Sequence, residues 1–296
     1  MPQPSINFSS FEDVCAVLQT ASSCLLEYKN RKGCVHHLPS SGQVLITGDL
    51  HDNPVHFSKI IQLAKLDTPT NHVVLQELIH TGGDSIATDF SYRMLVRVAS
   101  LIIAYPSQVH PILANHELSQ ATGRPITKGG GELVEKFNSG VQQVFSKHTE
   151  RVLEALNTFI LAMPLAVQSK TGLMCLHSLP NELTMDEFDV EILQRELQPT
   201  DYRGPFGSAY MTVWGRQYEP EQVNALAEHW GVTLFCLGHA WVPGGIDMAM
   251  SNVLCINSDH NNGVVLPVQL DHIQSAGKTM QFAIQLSSVL VDSEAL

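Results

Sequence analysis

Short apolar runs alternate along this chain with stretches in which apolar residues recur every three to four positions. The first stretch follows Ser10 and predicts an N-capped amphipathic helix that ends between Asn30 and Gly33. The first run, residues 44–47, stops at Gly48, as expected of a buried strand that leads into a surface loop. A second helix is predicted from Pro54 to about residue 66, with proline in its first turn.

The same alternation continues beyond residue 70. Strands are predicted at 72–76 and 109–113, a helix from about 87 to 105, and a long helical pattern from about 132 to 161 that could break near Gly140. Further strands are predicted at 174–177, 233–238, 253–258, 264–270 and 281–286. The last three follow one another without helices, which predicts an antiparallel set. Alternating strands and helices without repeats or linkers predict a single α/β domain.

Composition narrows the range of partners. Seventeen Lys and Arg residues against 29 Asp and Glu give a net charge of −12, and no local basic patch occurs, so we expect no nucleic-acid partner. The six cysteines lack CxxC spacing and lie mostly in apolar runs, which favours buried thiols. The N-terminus is not basic and no run approaches about 18 apolar residues, which predicts a cytoplasmic protein with no membrane partner.

Residues that can bind metal ions follow the C-terminal ends of the predicted strands. They are Asp49, His51, Glu77, His80, Asn115, His116, His177 and His239. A single such residue is more often a cap or a loop hydrogen-bonding group. Their recurrence after five strands instead indicates a shared site, because α/β folds place sites at this edge of the sheet.

The donor types define the chemistry of that site. Carboxylate, amide oxygen and imidazole together suit Mn, Fe or Zn rather than Mg or Ca. Two such ions about 3.5–4 Å apart can hold a bridging hydroxide and bind the oxygens of a phosphoryl group. The sequence therefore predicts two divalent transition metals as cofactors.

The order of the motifs resembles that of the calcineurin-like metallophosphoesterase superfamily: GDxH, GDxxD, GNH[DE], a lone His and a final GH. The matching segments are GDLHDN at 48–53, ANHE at 114–117, His177 and Gly238-His239. More narrowly, the chain is similar to the serine/threonine protein phosphatase branch and its bacterial relatives. The resemblance implies a four-layer α/β/β/α sandwich with two mixed sheets at 41–296. Residues 1–40 carry no part of the resemblance and are predicted to be a helical extension packed on this domain.

The resemblance also implies residue roles. Asp49 and His51 look like ligands of a first metal, and Asn115 looks like a ligand of a second. With Glu77, His177 and His239 they form the implied ligand set. His116 matches the general acid or stabiliser of the leaving oxygen. Arg216, in a Trp-containing segment, and Asn115 are the implied phosphate contacts.

Four positions depart from the family pattern. Glu77 stands where a bridging Asp is expected, and Asp84, about seven residues past the strand end, is the alternative bridge. His80 replaces the Asp that orients the catalytic His; it either bonds to His116, approaches a metal or lies in a surface loop. Thr81 and Leu113 replace phosphate-binding arginines, so the phosphate contacts are fewer.

The expected reaction is phosphomonoester hydrolysis by a hydroxide held between two metals. Phosphorylated Ser or Thr side chains are the first substrate hypothesis, and a nucleotide or other small phosphate ester is the second. A degenerate fold that serves as a binding or scaffold module is the alternative of a different class. The pair His36-His37 has no ligand-like context and is predicted to lie in a solvated loop.

Overall fold

The computed structural model describes residues 6–81, 88–128 and 131–290. Its helices are α1 Phe11–Leu26, α2 Pro54–Ala64, α3 Tyr92–Ala104, α4 Asn115–Thr122, α5 Leu133–Phe145, α6 Thr149–Ala162, α7 Ser208–Trp214, α8 Pro220–Trp230 and α9 Ala276–Thr279. Short 3-10 turns occur at Ser146–His148, Glu182–Glu187, Ile192–Gln194, Met280–Phe282 and Leu286–Ser288. Within these ranges no helix combines the length and the apolarity needed to cross a bilayer.

The strands form two principal sheets and a small hairpin. The first seven are β1 Arg31–Lys32, β2 Val35–His37, β3 Gln43–Asp49, β4 Asn71–Gln76, β5 Val109–Pro111, β6 Thr127–Lys128 and β7 Gly131–Glu132. The others are β8 Ala166–Gln168, β9 Leu173–Leu176, β10 Leu234–Leu237, β11 Ile246–Met250, β12 Val253–Ile256, β13 Val264–Gln269 and β14 Ile284–Gln285.

Both principal sheets are mixed, as the fold-class prediction requires. One has the strand order β1-β2-β8-β9-β10-β12-β11, and β9, β10 and β12 are mutually parallel at its centre. The other has the order β14-β13-β3-β4-β5, with β3, β4 and β5 parallel. The hairpin pairs β6 with β7.

The two sheets face each other across a dry layer, and helices cover their outer faces. Alternate residues of β3 and β13, such as Ile46 and Leu266, pack in one cluster with Cys175 and Cys236 of the opposite sheet. The intervening residues face outward. Trp230 of α8, for example, meets Phe235 of β10 edge to face at 6.3 Å. This is the four-layer sandwich expected from the sequence.

Several boundaries differ from the sequence predictions. Helix α1 begins after Ser10, whose hydroxyl accepts a hydrogen bond from the Asp13 amide, but it ends at Leu26 because the hairpin β1–β2 follows. The long pattern at 132–161 divides at Ser146, not near Gly140; Ser146 has a φ of 48°. Gly140 lies inside α5, and glycine is required there because a Cβ would be 1.8 Å from the Asp89 carbonyl oxygen.

Two further expectations about strands were wrong. Strand β12 joins β10 in parallel in the seven-stranded sheet, whereas β13 and β14 belong to the other sheet, so the last three strands are not one antiparallel set. His36 does not lie in a solvated loop. It is in β2, which pairs with β8, and it is 1% exposed. The helix α1 packs against α3 and α6. The division of the chain at residue 40 stays a prediction.

Candidate metal centre

Six strands direct their C-terminal ends to one edge of the sandwich, where a cavity of about 400 Å³ opens. Asp49 ends β3, and His177 and His239 follow β9 and β10. Glu77 follows β4, and Asn115 and His116 begin α4 after β5. The two sheets contact each other at this edge. Asp49, at the end of β3, forms an isolated parallel bridge with Asn257, the residue that follows β12.

Two glycines allow this close approach. A Cβ on Gly48 would lie 1.7 Å from the Ile256 carbonyl oxygen, so only glycine lets β3 reach β12 there. A Cβ on Gly238 would lie 2.5 Å from Asp49 Oδ1. The glycines of the first and last motifs are thus steric requirements for bringing Asp49 beside the turn that carries His239.

The backbone of the site is strained. Among the described residues, seven non-glycine residues have a positive φ, and five of them are in the loops of this site: His51, Asp52, Glu77, His80 and His239. Each costs of the order of 1 kcal/mol or more, because the Cβ approaches the carbonyl oxygen in this region. Strain of this kind persists only where the surrounding structure enforces it, and here it coincides with the candidate ligands.

Glu77 lies between two groups of ligand atoms. Its Oε2 is 3.5 Å from His51 Nε2, and its Oε1 is 3.5 Å from His116 Nε2 and 3.8 Å from His177 Nε2. Ligand atoms within 4.8 Å of one another form two sets that share Glu77, one with His51 and His116 and one with Asp49 and His177. This carboxylate has the position required of a bridge. Asp84, the competing candidate, lies outside the described residues.

Asn115 and His239 extend the set that contains Asp49 and His177. The contacts centre on the side-chain amide oxygen of Asn115. This oxygen is 2.7 Å from His177 Nε2 and 3.0 Å from His239 Nδ1. The Asp49 carboxylate accepts the backbone N–H of His239 at 2.9 Å and lies 3.9 Å from His177 Nδ1. One amide oxygen, two imidazoles and two carboxylates therefore converge in a space that ions could occupy.

The donor set fits divalent transition metals. Burial lowers the pKa of His177 well below its usual range, and burial with the nearby Arg216 cation lowers the pKa of His239 to about 3. Neutral imidazoles carry the lone pair that a metal ligand needs. Among the described residues, the Nε2 atom of His239 is buried without a hydrogen-bond partner. A bound ion would satisfy such an atom.

His116 is held by a chain of side chains behind it. Its Nδ1 is 3.0 Å from Nδ1 of His80, whose Nε2 is 3.3 Å from Oε1 of Gln120; Gln120 Nε2 donates to Asn138 Oδ1 at 2.9 Å. Because the Gln120 oxygen accepts from His80 Nε2–H, neutral His80 accepts from His116 Nδ1–H. Nε2 of His116 then faces the Glu77 carboxylate. His80 is fully buried, so the surface-loop interpretation is wrong.

Other residues at the site escaped the sequence reasoning. Glu117 accepts the backbone N–H groups of Leu78 and Ile79 and so fixes the loop after β4; burial raises its pKa to about 7. Asn257 donates to Asp49 Oδ2 at 3.4 Å. Glu117 could have been found as the fourth residue of ANHE. Asn257 directly follows β12, and its place beside Asp49 depends on β12 ending beside β3.

The rim of the cavity carries the predicted phosphate contact. Arg216 Nη1 donates to the His239 carbonyl oxygen at 2.9 Å, which holds the guanidinium beside the ligands. Trp214, Trp241 and Asp259 also line the cavity, and Trp241 is 71% exposed. Two tryptophans, the Arg216 cation and the Asp259 carboxylate therefore border the opening of the cavity.

Comparison with known families settles the class of protein. Residues 42–243 match the model of the calcineurin-like phosphoesterases, a span that contains every ligand position described above. The chain belongs to the calcineurin-like phosphoesterase family. The superfamily predicted from the motifs is confirmed. No curated protein sequence matches the chain.

Solved structures of phosphatases share the fold of this chain. A protein serine/threonine phosphatase from Saccharomyces cerevisiae superposes with a TM-score of 0.65 at 13% identity, covering 88% of this chain and 82% of that one. A cold-active protein-tyrosine phosphatase from a psychrophilic Shewanella species superposes with a TM-score of 0.51 at 10% identity, covering 84% of each chain. At these identities the likeness concerns the fold.

The phosphoesterase structure brings together all the predicted site residues that lie in its described ranges. Asp49, His51, Glu77, Asn115, His116, Arg216 and His239 line the cavity. His177 lies beneath it in contact with Asn115, and His80 lies behind His116. Their individual roles stay predictions, because geometry alone assigns no ligand and no acid.

Proposed function

We propose that this phosphoesterase hydrolyses phosphomonoesters, and that phosphorylated Ser or Thr side chains are its first substrate class. The observation that carries the proposal is the convergence of the ligand set on one cavity, with Glu77 shared by two groups of ligand atoms and Arg216 at the rim. One of the solved structures named above is a protein serine/threonine phosphatase, which supports the substrate class, whereas the other is a protein-tyrosine phosphatase. A nucleotide or another small phosphate ester is the alternative within this reaction.

The roles proposed for the residues rest on the motif resemblance and agree with their contacts. Asp49, His51, Glu77, Asn115, His177 and His239 would hold two divalent ions, for which we propose Mn. Such ions supply an activated water and neutralise phosphate charge. Arg216 orients a phosphate oxygen from the rim. As an imidazolium, His116 would hold a proton at Nε2 for the leaving oxygen, while its Nδ1–H donates to His80 and keeps the ring oriented.

Metal removal tests the proposal directly. Protein treated with a chelator should lose turnover of p-nitrophenyl phosphate, and added Mn should restore it at a stoichiometry near two ions per chain. Metal content by plasma emission spectrometry and absorbance at neutral pH are the measurements. Failure to bind metal on reconstitution would exclude hydrolysis by this site and favour the scaffold alternative.

The His116→Asn variant separates metal binding from proton transfer. We expect it to retain both ions but to lose about 10²–10⁴-fold in kcat on a phosphoserine peptide, because no group then protonates the departing alkoxide. The loss should be smaller with p-nitrophenyl phosphate, whose leaving group needs little protonation. His229→Asn, at the partly exposed C-terminus of α8, is the matched control and should behave as wild type. Equal losses on the two substrates would contradict the role of His116 as an acid.

A further inference from the structure

A second cavity, of about 530 Å³, lies outside the metal centre. Thr122, Arg124, Pro199, Tyr202, Arg203 and Gly204 line it. Two of these six residues are arginines and none is acidic, in a chain whose net charge is −12. A cavity with two cations and no acid is a local exception to the charge of the molecule.

Arg124 is held in place by its neighbours. Its guanidinium carbon lies 4.6 Å from the centre of the Tyr210 ring, and its Nη1 lies against Gly204, where a Cβ would be only 1.7 Å away. Gly204 directly follows Arg203, so the two arginines lie on adjoining walls. A stacked guanidinium loses less conformational freedom when it binds an anion.

Neither guanidinium is neutralised by an acid among the residues that the structure describes. In the described part of the chain no hydrogen bond or ion pair involves the side chain of Arg124 or Arg203. Two other arginines are neutralised: Arg31 pairs with Glu196, and Arg195 pairs with both Asp189 and Asp201. The two cationic groups at this cavity are therefore available to an external anion.

The second cavity is a near neighbour of the metal centre. Tyr210 stacks on Trp214 at 5.8 Å, and the Trp214 ring meets His239 at 6.0 Å. The segment after α4 also joins the two cavities, since Thr122 and Arg124 line one and Ile126 and Thr127 line the other. A polypeptide bound at the metal centre could reach the arginines within about five residues of extended chain.

We propose that the cavity of Arg124 and Arg203 binds an acidic or additionally phosphorylated side chain of a phosphoprotein substrate, about five residues from the phosphate that is hydrolysed. The inference rests on the proposed function and gives it a sequence preference. Charge complementarity carries it: two arginines line the cavity, and the guanidinium group matches carboxylate and phosphate geometry. Arg216, at the rim of the metal-site cavity, already donates to the His239 carbonyl oxygen. A second anionic group is therefore better accommodated in the cavity of Arg124 and Arg203.

The test is steady-state kinetics on three phosphoserine peptides that differ at one residue about five positions from the phosphoserine: Ala, Glu or a second phosphoserine. The wild-type holoenzyme should have a KM lower by about three- to tenfold for the two acidic peptides, with little change in kcat. The double variant Arg124→Gln with Arg203→Gln should remove that difference. Which acidic peptide has the lower KM distinguishes a carboxylate site from a phosphate site.

Three controls isolate the cavity. Arg151→Gln removes an arginine that lies over the Phe11 ring, and it should preserve the wild-type preference. Gly204→Ala retains both charges but displaces the Arg124 guanidinium, so it should weaken the preference. Turnover of p-nitrophenyl phosphate should be equal in all these proteins, which shows that they are folded and active.

The outcomes separate this inference from the proposed function. Equal KM values for the three peptides in active wild-type enzyme would overturn the acidic-segment site and leave phosphomonoester hydrolysis intact. A preference that persists in the double variant would also overturn it, since the anion would then bind elsewhere. Loss of turnover on every substrate, including p-nitrophenyl phosphate, would instead count against the proposed function.

Discussion

Glu77→Gln is expected to abolish turnover and to leave at most one bound ion. The substitution preserves the shape of the side chain but removes the charge that two sets of ligand atoms share. We expect a loss of activity beyond the roughly 10–100-fold typical of residues that only support metal ligands, because the second ion would lack its carboxylate. Metal stoichiometry and p-nitrophenyl phosphate turnover are measured on the same preparation.

Asp84→Asn is the decisive companion to that variant. Both acids follow β4, and both are candidates from the sequence for the bridge. If Glu77 is the bridge, Asp84→Asn should keep two ions and near wild-type turnover. The reverse pattern, with Asp84→Asn losing one ion and Glu77→Gln retaining two, would show that the assignment of the bridge is wrong.

Much of the site could be predicted from the sequence because its ligands follow buried strands. An apolar run that ends in Gly-Asp, Ala-Asn or Gly-His places a polar side chain at the sheet edge whatever the rest of the fold does. Parallel strands then bring these edges together. The ligand set could therefore be predicted from the local sequence pattern and from the rule that parallel strands place their C-terminal ends at one edge of the sheet.

The features that could not be predicted depend on contacts between residues that are distant in the sequence. His80 could not be placed from the sequence, because its burial depends on Gln120 and Asn138, which lie 40 and 58 positions further along the chain. Strand β2 was missed because it has three residues and gains its partners from β1 and β8. Short edge elements carry little periodic signal, since tertiary pairing decides them.

That missed strand carries His36 into a buried cluster of three histidines at the other ends of the strands. His36 Nδ1 lies 3.2 Å from His110 Nδ1, and His110 Nε2 lies 3.2 Å from His72 Nδ1. The Leu25 carbonyl oxygen accepts from His36 Nε2 at 3.0 Å, while the Arg31 cation lies 3.5 Å from that same nitrogen. The Tyr28 ring covers His36 and His110.

Burial keeps all three rings neutral. Burial, with a smaller effect of Arg31, lowers the pKa of His36 to about 3, and burial lowers the pKa of His72 to about 4. Burial also lowers the pKa of His110 well below its usual range. In the unfolded chain each would titrate near 6.5. Between those values the unfolded chain binds protons that the folded protein does not.

The folded protein should therefore lose stability in mild acid. The contribution of each histidine is fully present above about pH 6.5 and declines by about 1.4 kcal/mol per pH unit as the pH falls towards its folded pKa. This slope arises because the unfolded chain binds a proton at His36 that the folded protein does not. His36→Gln should therefore lower the slope of the unfolding free energy against pH by about 1.4 kcal/mol per pH unit between pH 6 and 4.5. Urea unfolding in the presence of a chelator measures it without interference from metal binding.

His272→Gln, at an exposed position, is the matched control and should leave the slope of wild type unchanged. Comparison at each pH cancels the contributions of groups shared by the variants, so only the substituted histidine is measured. His36→Gln can also lower stability at pH 7.5 through lost packing, yet that loss does not depend on pH. An unchanged slope in His36→Gln would mean that this ring is already protonated, or accessible to protons, in the folded protein, and the cluster would then have no part in acid unfolding.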